Sequence, residues 1–386
     1  MTPVIISKFS PQVLAFHESM YDNRITPGFI CILGKNDSKP YSKNFKHIVF
    51  LEEGDLYTNK GLIFIKKFID RFTTCGIISV SEALSLWLRD NESALSKNTV
   101  FMIPDRACLK RVLSKENQIN AAVDSGLPVL PTYLINDNPD TYTFIKEDLF
   151  PLCLRPSGPK AVTPYFKVEL TNSPNDLASF IKKRKINNYI IGQPFLNLPN
   201  LLVHGARKPG GPTIDLTGFL VERKFEGLAL TVRKIDLPET LINGCKKFTE
   251  IMDVQGIYHF DFLYDNRTQQ AWFLELNNRL GGTTAKVHAI GYDEPAYLLN
   301  AFGWDINIAK SPSKKTAADK ATLIKYALST LLNNSSPLDY PIGETKLQRL
   351  IKVIKGFFTY KDDIIQLKDL RGTLSFYRDI IKNQLR

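Results

Sequence analysis

The sequence contains no long apolar run, few cysteines and no glycine-rich dinucleotide-binding motif. Its apolar runs, such as Phe29 to Leu33 and Ile48 to Leu51, are far shorter than the roughly 20 residues that a membrane-spanning helix needs. The five cysteines are scattered and never spaced as CxxC, which predicts reduced thiols and excludes a disulfide framework or a zinc site. Without a GxGxxG sequence, nothing indicates a nicotinamide cofactor.

What is present is typical of a globular chain. With 44% apolar residues the 386-residue chain can bury a core, which excludes disorder, and its length predicts about two or three domains. Residues Met1 to Lys8 contain no basic leader, long apolar segment or cleavage site, so we expect a cytoplasmic protein. The net charge of +11 comes mostly from residues 309–386, which carry 15 Lys and Arg against 7 Asp and Glu. The charge therefore says little about a substrate.

The order of the apolar segments predicts a wound α/β unit followed by a β-rich unit. Short β-rich runs alternate with helical patterns over the first hundred residues, which indicates a parallel sheet. We predict one long helix from Asp105 to Ser125, a strand from Tyr165 to Leu170 and a helix that begins at Ser173. Lys310 to Thr316 is interpreted as a linker, and His204 to Gly211 as a basic hairpin tip.

Two predicted strands, Ile257 to Tyr264 and Ala271 to Leu276, form the most informative segment. Because side chains alternate along a strand, a hairpin would bring Asp261 opposite Glu275 and Asn277. Two carboxylates and an amide carbonyl form the all-oxygen ligand set that Mg²⁺ prefers. Solvated charges on an ordinary hairpin are the alternative.

Arg279 shares the face of Glu275 and Asn277 and precedes the pair Gly281-Gly282. A guanidinium beside a metal is suited to hold a transferring phosphoryl group or an acyl phosphate. Oxygen ligands, an arginine and a glycine pair at this spacing together favour a phosphate-handling site over a plain hairpin.

The stretch from Asp261 to Leu280 resembles the metal-binding motif of ATP-grasp enzymes, which use ATP to form an acyl phosphate that an amine or other nucleophile captures. Thr283 to Tyr292 and Leu152 to Ser157 are similar to the carbamoyl-phosphate-synthase branch. The resemblance extends over roughly Leu109 to Trp304. It implies an α/β and α+β chain with the ATP-grasp fold: a wound α/β (pre-ATP-grasp) domain over 1–108, a nucleotide-binding module over 109–308 with a mobile lid at about 130–190, and a basic C-terminal appendage over 309–386.

The resemblance also implies roles for individual residues. Arg279 and Arg155 would be catalytic, and Arg155 and Lys115 would contact the ATP phosphates. The hinge from Ile190 to Leu196 would receive adenine, near Gln193 and Phe195. Mg²⁺ (or Mn²⁺) would be bound by three oxygen ligands: Asp261, Glu275 and Asn277.

The sequence departs from the family at the hinge and at the phosphate loop. The hinge lacks the usual acidic residues and continues to Asn197. The loop after Arg155 contains one glycine and Pro159, which has no N–H to donate to phosphate. Lys160 could replace the missing donors with a point charge, or it is a surface lysine. One of four basic residues on cleft strands is expected to bind a phosphate or carboxylate: Arg223, Lys224, Arg233 or Lys234.

The sequence therefore predicts an ATP- and Mg²⁺-dependent ligase that joins a small-molecule carboxylate to an amine. One motif set and no internal repeat argue against carbamoyl phosphate synthesis itself, which needs two phosphorylations. A degenerate module that binds nucleotide without turnover is one alternative, and a basic nucleic-acid-binding protein is the other. We expect no membrane partner and no nucleic acid, and a homodimer is possible.

The tail contains a basic amphipathic pattern with two interpretations. Its apolar positions are Leu347, Leu350, Ile351, Ile354 and Phe357, with four basic residues between them. Such a helix more often packs on its own domain, and less often lies on an anionic surface. We expect packing.

Overall fold

The computed structural model describes residues 1–95, 97–158, 160–308, 311–365 and 369–384. Within these ranges the first strands form one parallel sheet in the order β3-β2-β1-β4-β5, as the alternating pattern predicts. Helices cover the sheet, and every residue of its second strand is buried. The elements of this unit are β1 (Thr2–Ser7), α1 (Pro11–Asp22), β2 (Gly28–Leu33), β3 (His47–Glu52), α2 (Asn59–Ile69), β4 (Cys75–Ser79), α3 (Glu82–Asp90) and β5 (Thr99–Phe101).

Two helices, α4 (Arg106–Leu113) and α5 (Lys115–Asp124), replace the single helix predicted from Asp105 to Ser125. That prediction is wrong because Ser114 has an extended backbone and its hydroxyl accepts the N–H of Asn117, which caps a new helix. The break places Lys115 in the first turn of α5.

An antiparallel sheet in the order β6-β11-β7-β9 forms the region predicted as a lid. The predicted strand from Tyr165 to Leu170 is wrong for most of its length, since the strand begins only at Glu169. The cap predicted at Ser173 is confirmed, because its hydroxyl accepts the N–H of Asp176. The elements are β6 (Tyr133–Ile135), β7 (Leu152–Pro156), β8 (Val162–Thr163), β9 (Glu169–Thr171), α6 (Pro174–Lys182), β10 (Lys185–Ile186) and β11 (Ile190–Pro194).

A long sheet, in the order β16-β15-β12-β13-β14-β17-β18 among the described residues, carries the predicted hairpin at one edge. One face packs on α5 and α7 around Phe248 and Phe260, and the other lies under α8 and α9. The first elements of this unit are β12 (Asn200–Arg207), β13 (Thr213–Phe225), β14 (Leu228–Ile235), α7 (Glu239–Ile251), β15 (Gly256–Asp265), β16 (Gln270–Asn277), α8 (Thr284–Ala289) and α9 (Glu294–Ala301).

The last residues extend this sheet and then contact the N-terminal unit. Strand β17 pairs antiparallel with β14, and β18 pairs parallel with β17. The hydroxyl of Ser375 accepts the N–H of Tyr41 at 3.0 Å, and Phe376 packs on Phe9. Lys310, the first residue of the predicted linker, lies outside the described ranges. The elements are β17 (Thr316–Ala318), α10 (Lys320–Leu331), α11 (Lys346–Thr359), β18 (Lys361–Asp362) and α12 (Leu370–Gln384).

Helix α11 forms where the tail pattern predicts it, but the expected burial of its apolar residues is wrong. Leu347, Ile351 and Ile354 are exposed, whereas Val353 and Gly356 are buried. The helix therefore packs through a different face, since Val353 joins a small core with Leu323 and Tyr326 of α10.

All five cysteines are free thiols. None of the described helices is both long and apolar enough to span a membrane.

Candidate active site

The β15–β16 hairpin places two carboxylates side by side, as predicted. Asp261 lies directly opposite Glu275 in the antiparallel register. The register shifts between Asp261 and Phe262, so a bulge lies on the turn side of this pair. Asn277 pairs with His259 and not with Asp261, so the third predicted ligand is one step farther along the strand.

The amide of Asn277 bridges the two carboxylates. Its Nδ2 donates to Oδ2 of Asp261 at 3.3 Å and to Oε1 of Glu275 at 3.1 Å. On its other side, Nη2 of Arg279 donates to Oδ1 of Asn277 at 3.4 Å. The four predicted residues of this segment therefore form one connected cluster.

Two further cations reach the cluster from other parts of the chain. Nζ of Lys115, in α5, lies 2.7 Å from Oε2 of Glu275. Nη1 of Arg155, in strand β7, lies 3.9 Å from the same oxygen. The long sheet, α5 and the sheet that contains β7 thus converge on Glu275.

Burial and neighbouring charges separate the pKa values of the two carboxyls. Burial, followed by repulsion from Glu275, raises the pKa of Asp261 to about 7. Burial acts in the same direction on Glu275, but the charges of Lys115 and Arg155 outweigh it and hold the pKa of Glu275 well below its ordinary value. Glu275 is the permanent anion of the pair.

Gln118 fixes the edge strand that carries Glu275, a role that the sequence interpretation missed. Its Oε1 accepts the N–H of Leu276 at 2.8 Å, and its Nε2 donates to the Leu276 carbonyl at 3.0 Å. Leu276 lies between Glu275 and Asn277, and β16 is an edge strand. The side chain therefore satisfies backbone groups that would otherwise be unpaired.

A buried polar network, also missed, supports the loop after Arg279. Nδ1 of His204 lies 2.9 Å from Oε1 of Glu294, and Nε2 of His204 lies 3.2 Å from Oγ1 of Thr283. Thr284 donates to the other oxygen of Glu294. Both threonines at the start of α8 are thereby tied to one buried pair. The interpretation of His204 as part of a hairpin tip is wrong, because it lies within β12.

The N-terminal unit closes the site through Glu82. Its Oε1 accepts the N–H of Asn278 at 3.3 Å and lies 3.8 Å from Nε of Arg279. The side chain of Asn278 donates to the carbonyls of Gln255 and Ile257, so this bend is held from both sides.

Comparison with known proteins gives matches only among solved structures. No protein-family model matches the sequence, and no curated protein matches it. Eight of the solved structures that match have TM-scores of 0.57 to 0.62 over 79% to 86% of this chain, at 11% to 16% identity. The chain has the ATP-grasp fold.

Three of these structures illustrate the match. An L-amino acid ligase from Bacillus licheniformis is 12% identical, with a TM-score of 0.60 over 84% of this chain and 85% of that one. An ADP complex of N5-carboxyaminoimidazole ribonucleotide synthetase is 11% identical, with a TM-score of 0.62 over 86% of each chain. The biotin carboxylase domain dimer of the Hydrogenobacter thermophilus 2-oxoglutarate carboxylase, solved with MgADP, ADP and bicarbonate, is 14% identical, with a TM-score of 0.62 over 79% of this chain and 70% of that one.

The TM-scores establish the fold, and sequence identities this low leave the activity open. A match to the pyruvate carboxylase of Rhizobium etli, 14% identical with a TM-score of 0.62, covers 79% of this chain but only 30% of that much longer one. The biotin carboxylase matches are consistent with the predicted branch. The domain limits and residue roles stay predictions.

Several polar groups of the predicted hinge, Ile190 to Leu196, are already bonded. Oε1 of Gln193 accepts from Nη2 of Arg155 at 2.8 Å, so its side chain positions the arginine. The N–H of Phe195 donates to the Pro151 carbonyl at 2.8 Å. Asn197, where the family would place an acidic residue, donates to two carbonyls of the loop before α11.

Lys160 is not brought to the carboxylates. It lies exposed on the loop after β7, and its side chain forms no hydrogen bond or ion pair within the described part of the chain.

The four cleft lysines and arginines differ in what they bind. Arg223 forms a bidentate pair with Glu344, with both N–O distances 2.8 Å. Lys224 is buried and donates to the Leu198 carbonyl, and burial lowers its pKa to about 8. Arg233 pairs with Glu222 at 2.6 Å. Lys234 alone of the four makes no hydrogen bond or ion pair with any residue that the structure describes.

The donor set fits a hard divalent cation. No group of three or more His, Cys, Asp and Glu side chains among the described residues could hold a metal. The cluster instead offers two adjacent carboxylates, and Asn277 would add its amide oxygen if the amide turned over, which is the ligand chemistry of Mg²⁺. Burial, followed by repulsion from Glu275, raises the pKa of Asp261, and a bound cation would stabilise the ionised carboxylate.

We expect Mg²⁺ affinity to rise with pH through about 7. Below that pH, Asp261 is protonated in the metal-free protein, and a cation must displace the proton. Affinity should fall about tenfold for each pH unit below the pKa and level off above it. Mn²⁺ titration at several pH values measures this, and Asp261→Asn should leave a weak, nearly flat profile. A wild-type affinity independent of pH between 5 and 8 would contradict it.

We also expect Gly281→Ala to disturb the loop that carries Arg279. An added Cβ would lie 2.4 Å from Cε1 of His259, which is buried against His204 and has little room to move. Overpacking of this kind costs about 1–3 kcal/mol of the free energy of unfolding. Gly282→Ala is the matched control, because its Cβ would meet no atom within 4 Å. Chemical denaturation of both variants measures the difference, and equal stabilities would refute the packing argument.

Proposed function

We propose that the chain is an ATP- and Mg²⁺-dependent ligase that activates a carboxylate as an acyl phosphate for capture by an amine. The observation that carries the proposal is the convergence of Lys115 and Arg155 on Glu275, opposite Asp261, with Arg279 bonded to the neighbouring Asn277, within an ATP-grasp fold. An L-amino acid ligase and a synthetase solved in complex with ADP are among the matches.

Asp261, Glu275 and Asn277 would hold the cation. Bound there, Mg²⁺ would neutralise charge on the ATP phosphates. Lys115 is paired with Glu275 in the metal-free protein. Neutralisation of Glu275 by a cation would release the ammonium group toward the phosphates.

The proposed reaction has two steps. A carboxylate oxygen attacks the γ-phosphorus and the bond to ADP breaks, with Arg155 and Arg279 balancing the charge of the transferring group. An amine nitrogen then attacks the acyl carbon, phosphate leaves with the electron pair of the C–O bond, and the proton that the nitrogen loses passes to the departing phosphate. Gln193 keeps Arg155 in place, and the lid would exclude water from the intermediate.

ADP release from Mg-ATP, measured over a panel of carboxylate–amine pairs, tests the proposal. Turnover that requires both partners of one pair would support a ligase. Carboxylate-independent hydrolysis would argue against it. Dipeptide-forming amino acid pairs are the first to try, given the amino acid ligase among the matches.

One alternative, a degenerate module that binds nucleotide without turnover, has structural support. The Phe195 N–H and the Asn197 amide are already bonded, and Lys160 lies away from the carboxylates. Tight Mg-ATP binding without ADP from any pair would favour this alternative. The nucleic-acid alternative depends on the charge of the tail alone, and salt-dependent RNA binding would support it. The homodimer and the cytoplasmic location stay predictions.

A further inference from the structure

Helix α11 presents a row of large apolar side chains to solvent. Leu347, Ile351, Ile354 and Phe358 recur at intervals of four, three and four residues, and Phe358 is 80% exposed. We name these four the α11 stripe. A soluble protein seldom leaves so many large apolar residues together in water unless something covers them.

The neighbouring helix α10 repeats the arrangement. Its exposed apolar residues, the α10 stripe, follow the same kind of spacing: Ile324, Leu328, Leu331 and Leu332. The recess between the helices, about 160 Å³, has polar residues along it, among them Ser329, Asn333 and Arg349. The apolar residues thus form ridges and do not line a groove that could seat a partner helix.

Basic residues flank both stripes. Neither α10 nor α11 contains an acidic residue, and together they contain six Lys and Arg. At about 3.6 residues per turn, Lys346 and Lys355 lie on opposite sides of the α11 stripe, and Lys320 and Lys325 on opposite sides of the α10 stripe. Within the described ranges, Lys325, Lys346 and Lys355 have no ion-pair partner.

We propose that α10 and α11 dock this protein on an anionic lipid surface, with the two stripes in the interface and the lysines at the headgroups. Apolar ridges on two helices that contain six cations and no anion match such a surface in both charge and chemistry. A second copy would bring two basic helix pairs face to face, with like charges opposed. The expectation of no membrane partner assumed that the apolar residues of α11 are buried, and most of them are not.

Vesicle flotation of the full-length chain tests the proposal. We expect partition into phosphatidylcholine–phosphatidylglycerol vesicles to exceed partition into phosphatidylcholine vesicles by about 100-fold, since three unpaired lysines each contribute a factor of roughly five. Lys346→Gln with Lys355→Gln should lose about 25-fold. Ile351→Gln with Ile354→Gln should lose at least about tenfold. Ile63→Gln on α2 is the matched control, because Ile63 and Ile351 are both 55% exposed.

Three outcomes would overturn the proposal. The first is equal partition into both kinds of vesicle, or no binding to either kind. The second is full binding by the double isoleucine variant, which would leave only bulk charge. The third is a dimer in sedimentation equilibrium that the isoleucine variant dissociates, without vesicle binding, which would assign the surface to a second copy. None of these results depends on whether the ligase turns over.

Discussion

Glu275→Gln is expected to remove the Mg²⁺-dependent part of nucleotide binding and to lower any ATP turnover by at least about 100-fold. Glu275 is the ionised member of the carboxylate pair and the point where Lys115 and Arg155 meet. Without its charge the cation loses its strongest ligand. Lys115 is freed at the same time, so nucleotide binding without Mg²⁺ should be preserved or increased.

Calorimetric titration of the variant with a non-hydrolysable ATP analogue measures the nucleotide affinity in Mg²⁺ and in EDTA. The first affinity should fall, and the second should be preserved or rise. Glu222→Gln is the matched control. Glu222 lies on β13, pairs with Arg233 of β14 and makes no bond to the carboxylate cluster. Retention of the Mg²⁺ enhancement by Glu275→Gln would show that the cation is bound elsewhere.

Removal of residues 309–386 is expected to abolish cooperative folding. Two buried ion pairs cross this boundary: Arg223–Glu344 and Lys286–Asp363, each at 2.8 Å. Loss of one partner of a buried pair costs about 3–5 kcal/mol. Two such losses approach the whole free energy of unfolding of a typical domain, about 5–15 kcal/mol. Circular dichroism during heating and size-exclusion chromatography measure this. A cooperative thermal transition and a compact elution volume for the truncated chain would contradict the expectation.

Glu344→Ala isolates one of these contacts. Burial opposes its ionisation, yet Arg223 and Lys352 lower the pKa of Glu344 to about 2. We expect the variant to lose about 3–5 kcal/mol in chemical denaturation. Glu222→Ala should lose less than about 1 kcal/mol, because its pair with Arg233 is partly exposed. Similar losses for both would remove the distinction between buried and exposed pairs.

Local patterns predicted what depends on neighbours in sequence. The alternation of the hairpin placed Asp261 opposite Glu275, because side-chain direction in a strand has period two. The same periodicity could not reveal the bulge between Asp261 and Phe262. Asn277 was expected opposite Asp261, but with Asp261 opposite Glu275 it lies opposite His259, two residues away on the same face. Ser114 lies inside a stretch whose pattern predicts one continuous helix. Only the extended backbone of Ser114 shows that a new helix begins there.

Contacts between residues far apart in the chain could not be predicted from local sequence patterns. Gln118 reaches the backbone of Leu276 across 158 positions, and no periodicity relates the two. His204 and Glu294 meet only because β12 lies beside β15 under α9. The tail pattern predicted a helix correctly but not which side of it would face α10, since Val353 was no more apolar than Ile354. The missing signal in each case is the tertiary partner.

Positional isotope exchange is the most direct test of acyl phosphate formation. ATP labelled with oxygen-18 at the β,γ-bridge is incubated with Mg²⁺ and a panel of carboxylates, without an amine. Reversible acyl phosphate formation would move the label into a non-bridging position of the β-phosphate. The account predicts exchange that requires one class of carboxylate and disappears in Glu275→Gln. Tight Mg-nucleotide binding with no exchange for any carboxylate would contradict it.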